Sequence, residues 1–408
     1  MHPTRQALGI PELRLYVASR FCSRFARALV AAMLSYHVYA VTNSYAALGL
    51  LGLVEFLPVI PTSLMAGLLA DRFDRRRVVI AAYGAAAAGT AVLAALSQHA
   101  PADAGTVFAA AFILVIASQF AAPAASALLP GLVPHEIFQS ATVLSASLTH
   151  VAWVAGPITM GFLVEPLGFG APYGLAALFY LLSIIGMAAL RAPRIEGEPS
   201  DISFSAVREG LLFVWRAKAL LGSMSLDMFA VIFASATALL PVFANDILHV
   251  GPVGYGLLRA SMGIGTLAMA IVLLVVRPFE RPGRVLLQTV VVFGLATLAF
   301  GLSRSFLLSV AAFIVAGMAD QVSMITRSVI LQMSTPDGLR GRVNAVSMIF
   351  IGASNELGDA ESGFLASLTS ATFSVVAGAL CCLGVTGVVA MRLPELSTWR
   401  PPRAPVRA

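Results

Sequence analysis

Hydrophobic residues run through this chain in long blocks, and the polar residues that interrupt them come in short clusters with Pro and Gly. A bilayer core needs about 20 mostly apolar residues per helical span. Measured against that length, the pattern predicts six segments at 15–42, 46–70, 77–97, 105–128, 140–164 and 171–190, then six more at 219–245, 253–276, 284–302, 305–333, 343–367 and 371–391. Between the two sets lies a polar stretch with Arg191, Arg194, Glu196, Glu198 and Asp201 beside Pro193 and Pro199. Beyond it, Phe204, Val207, Leu211 and Val214 alternate with Arg208, Glu209, Arg216 and Lys218, the pattern of a helix lying on a membrane surface. The chain therefore reads as an all-α integral membrane protein of twelve transmembrane helices. Its expected organisation is an N-terminal six-helix bundle over 1–190, a cytoplasmic linker with an amphipathic helix over 191–218, a C-terminal six-helix bundle over 219–392 and a cytoplasmic tail over 393–408.

Composition agrees, since 59% hydrophobic and 11% charged residues exclude an ordinary soluble domain. The net charge of +6 sits in turns and tails rather than along one face, so it orients the chain against lipid and implies no nucleic-acid partner. With the N-terminus inside, the cytoplasmic turns and tails collect Arg72, Arg75, Arg76, Arg77, Arg191, Arg277, Arg281, Arg340 and Arg392 among others, whereas the opposite turns hold Arg304 alone. That asymmetry places both termini in the cytoplasm of a bacterial-type plasma membrane. The first apolar stretch carries no secretory cleavage site and is expected to remain as an anchor. Cys22, Cys381 and Cys382 lie inside apolar segments without metal-ligand spacing and read as packing residues. There is no GxxxxGK[ST] phosphate loop and no metal-ligand cluster, so the chain reads as neither an ATP-driven pump nor an enzyme. No cofactor is expected, and the proton gradient is left as the energy source.

The two halves resemble each other. Aligning SQFAAPAASALLPGLVP, ending at Pro134, with DQVSMITRSVILQMSTP, ending at Pro336, superposes Gln119 on Gln321, Ser126 on Ser328 and Leu129 on Leu331 at one offset, 336 − 134 = 202. The same offset carries Gly156 to Gly358 and Gly161 to Gly363. Such a constant shift points to parallel six-helix repeats.

Between the second and third segments stands GLLADRFDRRR, from Gly67 to Arg77. It resembles the loop between helices 2 and 3 of the major facilitator superfamily, with Gly67, Asp71, Arg72, Arg75 and Arg76 in the expected places and Asp74 where glycine is commoner. Its second-half counterpart, RPFERPGR from Arg277, lacks the leading acid. TPDGLRGRVNAV from Thr335, NELGDAESG from Asn355 and LLPVFANDILHVGPVGYGLLRA from Leu239 are similar to the branch of enterobactin exporters and macrolide efflux proteins. GPITMG, with Gly156, Pro157 and Gly161, resembles part of the antiporter motif of exporters, where a glycine-lined, proline-bent helix packs closely against its neighbour. The resemblance implies the major facilitator fold, two pseudo-symmetric six-helix bundles around a central cavity. The arginine that many proton-coupled drug exporters carry in the fourth helix is absent, and Gln119 is the strongly polar side chain mid-helix there.

Charge inside a span is costly, so it marks candidates for function. In the turn, Gly67 permits close helix approach, and Asp71 beside a helix N-terminus suits a charge latch with an arginine. The other reading of Arg75, Arg76 and Arg77 is orientation against anionic lipid. Within the spans, the proton-coupling candidates are Asp227, Asp320, Glu356 and Asp359. Cavity or network candidates are Arg27, Glu55, Gln119, Arg259, Ser323, Arg327 and Asn355. Asp320, Ser323 and Arg327 form one stripe at i, i+3 and i+7, and the nearby acids Glu356 and Asp359 are the expected partners of Arg327. Arg20, Arg24 and Arg27 share a face, the first two expected to snorkel to the cytoplasmic interface. These features suggest a monomeric secondary transporter that exports a small amphipathic molecule, a siderophore, macrolide-like drug or metabolite, in exchange for protons. An importer or lysolipid flippase of the same fold, or a transport-inactive scaffold or sensor, remains open at this point.

Overall fold

The computed structural model describes residues 9–62, 65, 73–190, 204–276 and 279–401. Among them the chain is helical throughout, with no strand. Six helices make the first half: α1 Pro11–Thr42, α2 Tyr45–Thr62, α3 Arg75–Leu96, α4 Ala104–Ser126, α5 His135–Leu167 and α6 Gly170–Ala189. The linker helix α7, Phe204–Arg216, precedes α8 Lys218–Ala234, α9 Gly251–Leu273, α10 Pro282–Leu302, α11 Phe306–Ser334, α12 Arg340–Leu368, α13 Ala371–Arg392 and the short α14 Pro394–Thr398.

Ten of the described helices are long and apolar enough to cross a membrane, eleven if the bent pair α7–α8 is one span. The twelfth position is α12, whose five charged residues, Arg340, Arg342, Glu356, Asp359 and Glu361, lower its hydropathy. Local chemistry sets the helix starts. Pro11 opens α1, where its missing N–H costs nothing. The side chains of Asp74, Asp103 and Ser370 cap α3, α4 and α13 by accepting backbone amides. Bonds from the Thr106 hydroxyl and amide hold the Asp103 carboxyl below the usual carboxylate range. On α6, Leu178, Leu181, Leu182 and Ile185 form an exposed apolar stripe, as expected of a helix whose outer face meets lipid.

The seventh predicted span is broken. Instead of one helix over 219–245, α8 ends at Ala234, and helix resumes only at Leu240–Val242, followed by a π-turn over Phe243–Ile247. Pro241 accounts for the interruption, because proline lacks the donor that a continuous helix needs and clashes with the preceding turn.

Two compact units result, Met1–Ser200 with Leu240–Gly263, and Asp201–Leu239 with Ile264–Ala408. In the first unit, α1 packs on α5 and α6, and α3 on α4 and α6. Gly156 makes the first of these contacts possible: a Cβ there would lie 2.6 Å from the backbone nitrogen of Leu29. In the second unit, α10 packs on α11 and α13, and α8 on α12 and α13, around Leu226, Leu286, Ile330, Cys382 and Val389. There a Cβ on Gly358 would lie 2.8 Å from the Val231 carbonyl oxygen. The linker helix α7 is bent 105° from α8 and rests on the start of α12, where Arg342 donates to Glu209. Leu211, Leu212 and Trp215 remain exposed on it, the apolar face of a surface-lying helix.

Candidate functional site

The second unit gathers charge around one small cavity. α8 carries Asp227 to the guanidinium of Arg327 on α11, and the two form an ion pair with both side chains nearly buried. The expectation that Arg327 pairs with the acids of α12 is thereby corrected. α8 packs against both α11 and α12, while those two touch little, so the chain neighbour of α11 is not its packing neighbour. One and two turns before Arg327, Ser323 and Asp320 line the cavity with Asp227, Thr289, Val290 and Phe293. Asp320 thus shares a cavity with Asp227, itself paired to Arg327, and among the described residues no cation pairs with Asp320. Asp359 accepts a hydrogen bond from Ser235 Oγ at 2.7 Å, where α8 ends. Glu356 is half-buried on the same face of α12, whereas Asn355 is exposed. Gln321 is buried, its Oε1 without a hydrogen-bond partner.

A second polar cavity lies inside the first unit. Arg20, Ser23, Arg24 and Arg27 of α1 line it with Tyr83 of α3, Ser118 of α4 and Tyr180 of α6. Arg27 is therefore at a cavity wall, and Arg20 and Arg24 line the same cavity. Arg20 is only 8% exposed. The helix begins at Pro11, so Arg20 stands roughly 14 Å along its axis at 1.5 Å per residue. Gln119 is half-buried on α4 and Glu55 half-buried on α2; neither lines this cavity.

Also within the first unit, the segment after the break in span seven is tied to α1 and α5. Tyr39 donates to Asp246, Tyr255 donates to the Ala32 carbonyl at 2.9 Å, and Arg259 donates to the Tyr255 hydroxyl at 3.3 Å. A Cβ on Gly161 would come 2.6 Å from the Pro252 carbonyl oxygen, and one on Gly256 would come 2.4 Å from that of Pro157. GPITMG is thus a close-packing surface. Sequence reading missed Tyr39, Asp246 and Tyr255, whose partners stand more than 200 residues away. The fully buried His37 was missed too; it bonds the Tyr173 hydroxyl at 3.0 Å and the Ala102 carbonyl at 3.1 Å.

In the first turn of α3, the arginines grip helix ends. Arg75 donates to the Ala127 carbonyl at 3.2 Å and Arg76 to the Ala188 carbonyl, the C-terminal ends of α4 and α6, where a cation also suits the helix dipole. Arg77 is exposed beside Asp74 at 3.9 Å. Gly67, Asp71 and Arg72 lie outside the described residues.

Residues 14–404 match the family model described as transmembrane secretion effector. The chain is 26% identical over 359 residues to the multidrug efflux pump Tap of Mycobacterium tuberculosis, covering 83% of each chain. It is also 26% identical over 402 residues to the enterobactin exporter EntS of Citrobacter koseri, covering 96% of this chain and 94% of that one. In fold, it is similar to a crystal structure of the peptide transporter POT in complex with sulfate, with a TM-score of 0.76, 15% identity and 96% of both chains covered. The nucleoside transporter NupG gives a TM-score of 0.71 at 13% identity, with 98% of this chain and 100% of that one covered.

Proposed function

The chain belongs to the transmembrane secretion effectors of the major facilitator superfamily, and from that premise we propose that it exports a small amphipathic molecule from a bacterial cell in exchange for protons. Membership makes it a multi-pass membrane transporter rather than an enzyme. Export is supported by the relatives, one a multidrug efflux pump and one a siderophore exporter. The single observation that carries proton exchange is the cavity where Asp320 adjoins the Asp227–Arg327 pair.

The chemistry there is simple. Two carboxylates and one guanidinium leave one negative charge over, and a charge in a membrane interior is costly without compensation. A proton entering on Asp320 removes that excess and leaves the Asp227–Arg327 pair intact. Once cargo has left on the outside, the protonated state returns inward, and release of the proton to the cytoplasm restores the excess charge and drives α8 and α11 to a new arrangement. Asp359, bonded by Ser235 at the end of α8, with Glu356 one turn away on α12, serves as a second acceptor. The ties of the 240–263 segment, from Tyr39 to Asp246, from Tyr255 to the Ala32 carbonyl and along GPITMG, hold one access state and must loosen for cargo to pass outward. The charge distribution supports a cytoplasmic position for both termini.

Everted vesicles from cells producing the protein test this reading with a panel of dyes, antibiotics and siderophores. At least one compound accumulates in vesicles energised by a proton gradient, and a protonophore abolishes its accumulation. Accumulation that survives complete collapse of the gradient contradicts proton exchange.

A further inference from the structure

The arginine cavity and the acid cavity occupy equivalent places in the two halves. The repeat offset holds between their walls, since 320 − 118 = 202 and 323 − 121 = 202: Ser118 and Ala121 line the first cavity where Asp320 and Ser323 line the second. Their charges are opposite. In the first, Arg20, Arg24 and Arg27 follow one another at i, i+4 and i+7, roughly 6 and 10 Å apart along the axis, and all three reach the same cavity. The Nε atoms of Arg20 and Arg24 are buried without a hydrogen-bond partner, and Arg20 is more than nine-tenths buried. Among the described residues, no carboxylate pairs with any of the three.

Three guanidiniums facing one another in a membrane interior repel, and each presents a planar fork of donors shaped for carboxylate or phosphate. Tyr83, Tyr180, Ser23 and Ser118 also line the cavity, with Leu114, Ala117 and Ala121 as its apolar lining; the Ser23 and Ser118 hydroxyls donate to the Arg20 and Val115 carbonyls. We propose that this cavity binds the anionic group, a carboxylate or phosphate, of an amphipathic molecule. The volume, about 30 Å³, is room for a water or two, enough for the oxygens of an anionic group and far too little for a whole cargo molecule. As a cargo site it rests on the export reading above and narrows the cargo to amphipathic anions. The two halves then divide the work, one cavity for the anion and its counterpart for the proton.

Equilibrium binding to purified full-length protein in phosphatidylcholine nanodiscs tests the site without any gradient. The probes are 2-naphthoate, 1-naphthyl phosphate and the matched cation 2-naphthylmethylammonium. Both anions bind at least tenfold more tightly than the cation. Arg24→Gln and Arg27→Gln each weaken anion binding about tenfold, the loss expected of one charge-assisted hydrogen bond, and Arg24→Lys weakens it less. A parallel arm adds phosphatidylglycerol. If that lipid displaces the naphthyl anions and is retained by the unaltered protein but not by Arg27→Gln in native mass spectrometry, the anion site stands and its occupant is a lipid headgroup, which overturns the cargo assignment. Anions that bind no better than the cation, or binding unchanged in glutamine variants that stay monodisperse, overturn the site itself. Proton-coupled export of a cationic compound without anion binding overturns this inference alone, whereas anion binding without any gradient-driven transport overturns the export reading alone.

Discussion

At Arg327 the chain keeps a cation that is only 8% exposed, and Asp227 is the acid that meets it. Removing one partner of a buried pair leaves an uncompensated charge, at a cost of about 3 kcal/mol or more. Asp227→Asn and Arg327→Gln should therefore each lower the thermal unfolding temperature of the purified protein clearly. The double variant should lose less than the two single losses combined, because the partners share one interaction. A fully additive result would mean the ion pair contributes nothing to the fold. The stripe Asp320, Ser323, Arg327 was legible from spacing alone, since helical periodicity decides which residues share a face. The partner of Arg327 was not legible, because Asp227 stands 100 residues earlier and sequence proximity favoured Glu356 and Asp359. That Arg20, Arg24 and Arg27 share one cavity was legible only in part, since spacing puts them on one face but the walls from α3, α4 and α6 come from far along the chain.

Among the helices, close approach is concentrated where glycine permits it. The contacts of α5 on α1 and of α12 on α8 are related by the repeat itself: 358 − 156 = 202 links the glycines, and 231 − 29 = 202 links Leu29 to Val231, the residues they meet. The duplication read from Gln119, Gln321 and the paired glycines is thus visible as one contact made twice. Gly156→Ala places a methyl 2.6 Å from the Leu29 backbone nitrogen, and Gly358→Ala places one 2.8 Å from a backbone oxygen. Each should destabilise by about 1–3 kcal/mol, the usual range for overpacking. Gly174→Ala, whose methyl would stand 3.9 Å from the nearest side chain, should leave unfolding unchanged and is the control. Equal unfolding temperatures for all three variants would contradict the packing account. The spans were legible because apolar length is a strong signal. The break after Ala234 was not, because Ala236, Ala238 and Leu239 are as apolar as any span and Pro241 often only kinks a membrane helix.

Across the whole protein, the proposed proton exchange ties the acid cavity to the membrane potential. If one monoanion leaves for each proton that enters, two charges cross per cycle, worth roughly 4.6 kcal/mol at 100 mV. Proteoliposomes given a valinomycin–potassium diffusion potential should accordingly transport an anionic cargo faster when the potential favours net charge movement, and reversing it should slow them. A rate indifferent to the potential would exclude that stoichiometry. The fold class was legible in composition and charge asymmetry, and the family in GLLADRFDRRR and GPITMG. The identity of the cargo was not, because apolar cavity walls and lipid-facing surfaces are built from the same residues. The most direct test of the central claim is cargo-driven proton movement in proteoliposomes carrying a trapped pH dye, compared between the unaltered protein and Asp320→Asn. A cargo gradient should drive protons the opposite way in the unaltered protein, and Asp320→Asn should lose at least tenfold of that flux while still exchanging labelled for unlabelled cargo. A transported cargo that moves no protons, or an Asp320→Asn variant that moves them as fast as the unaltered protein, would contradict the account.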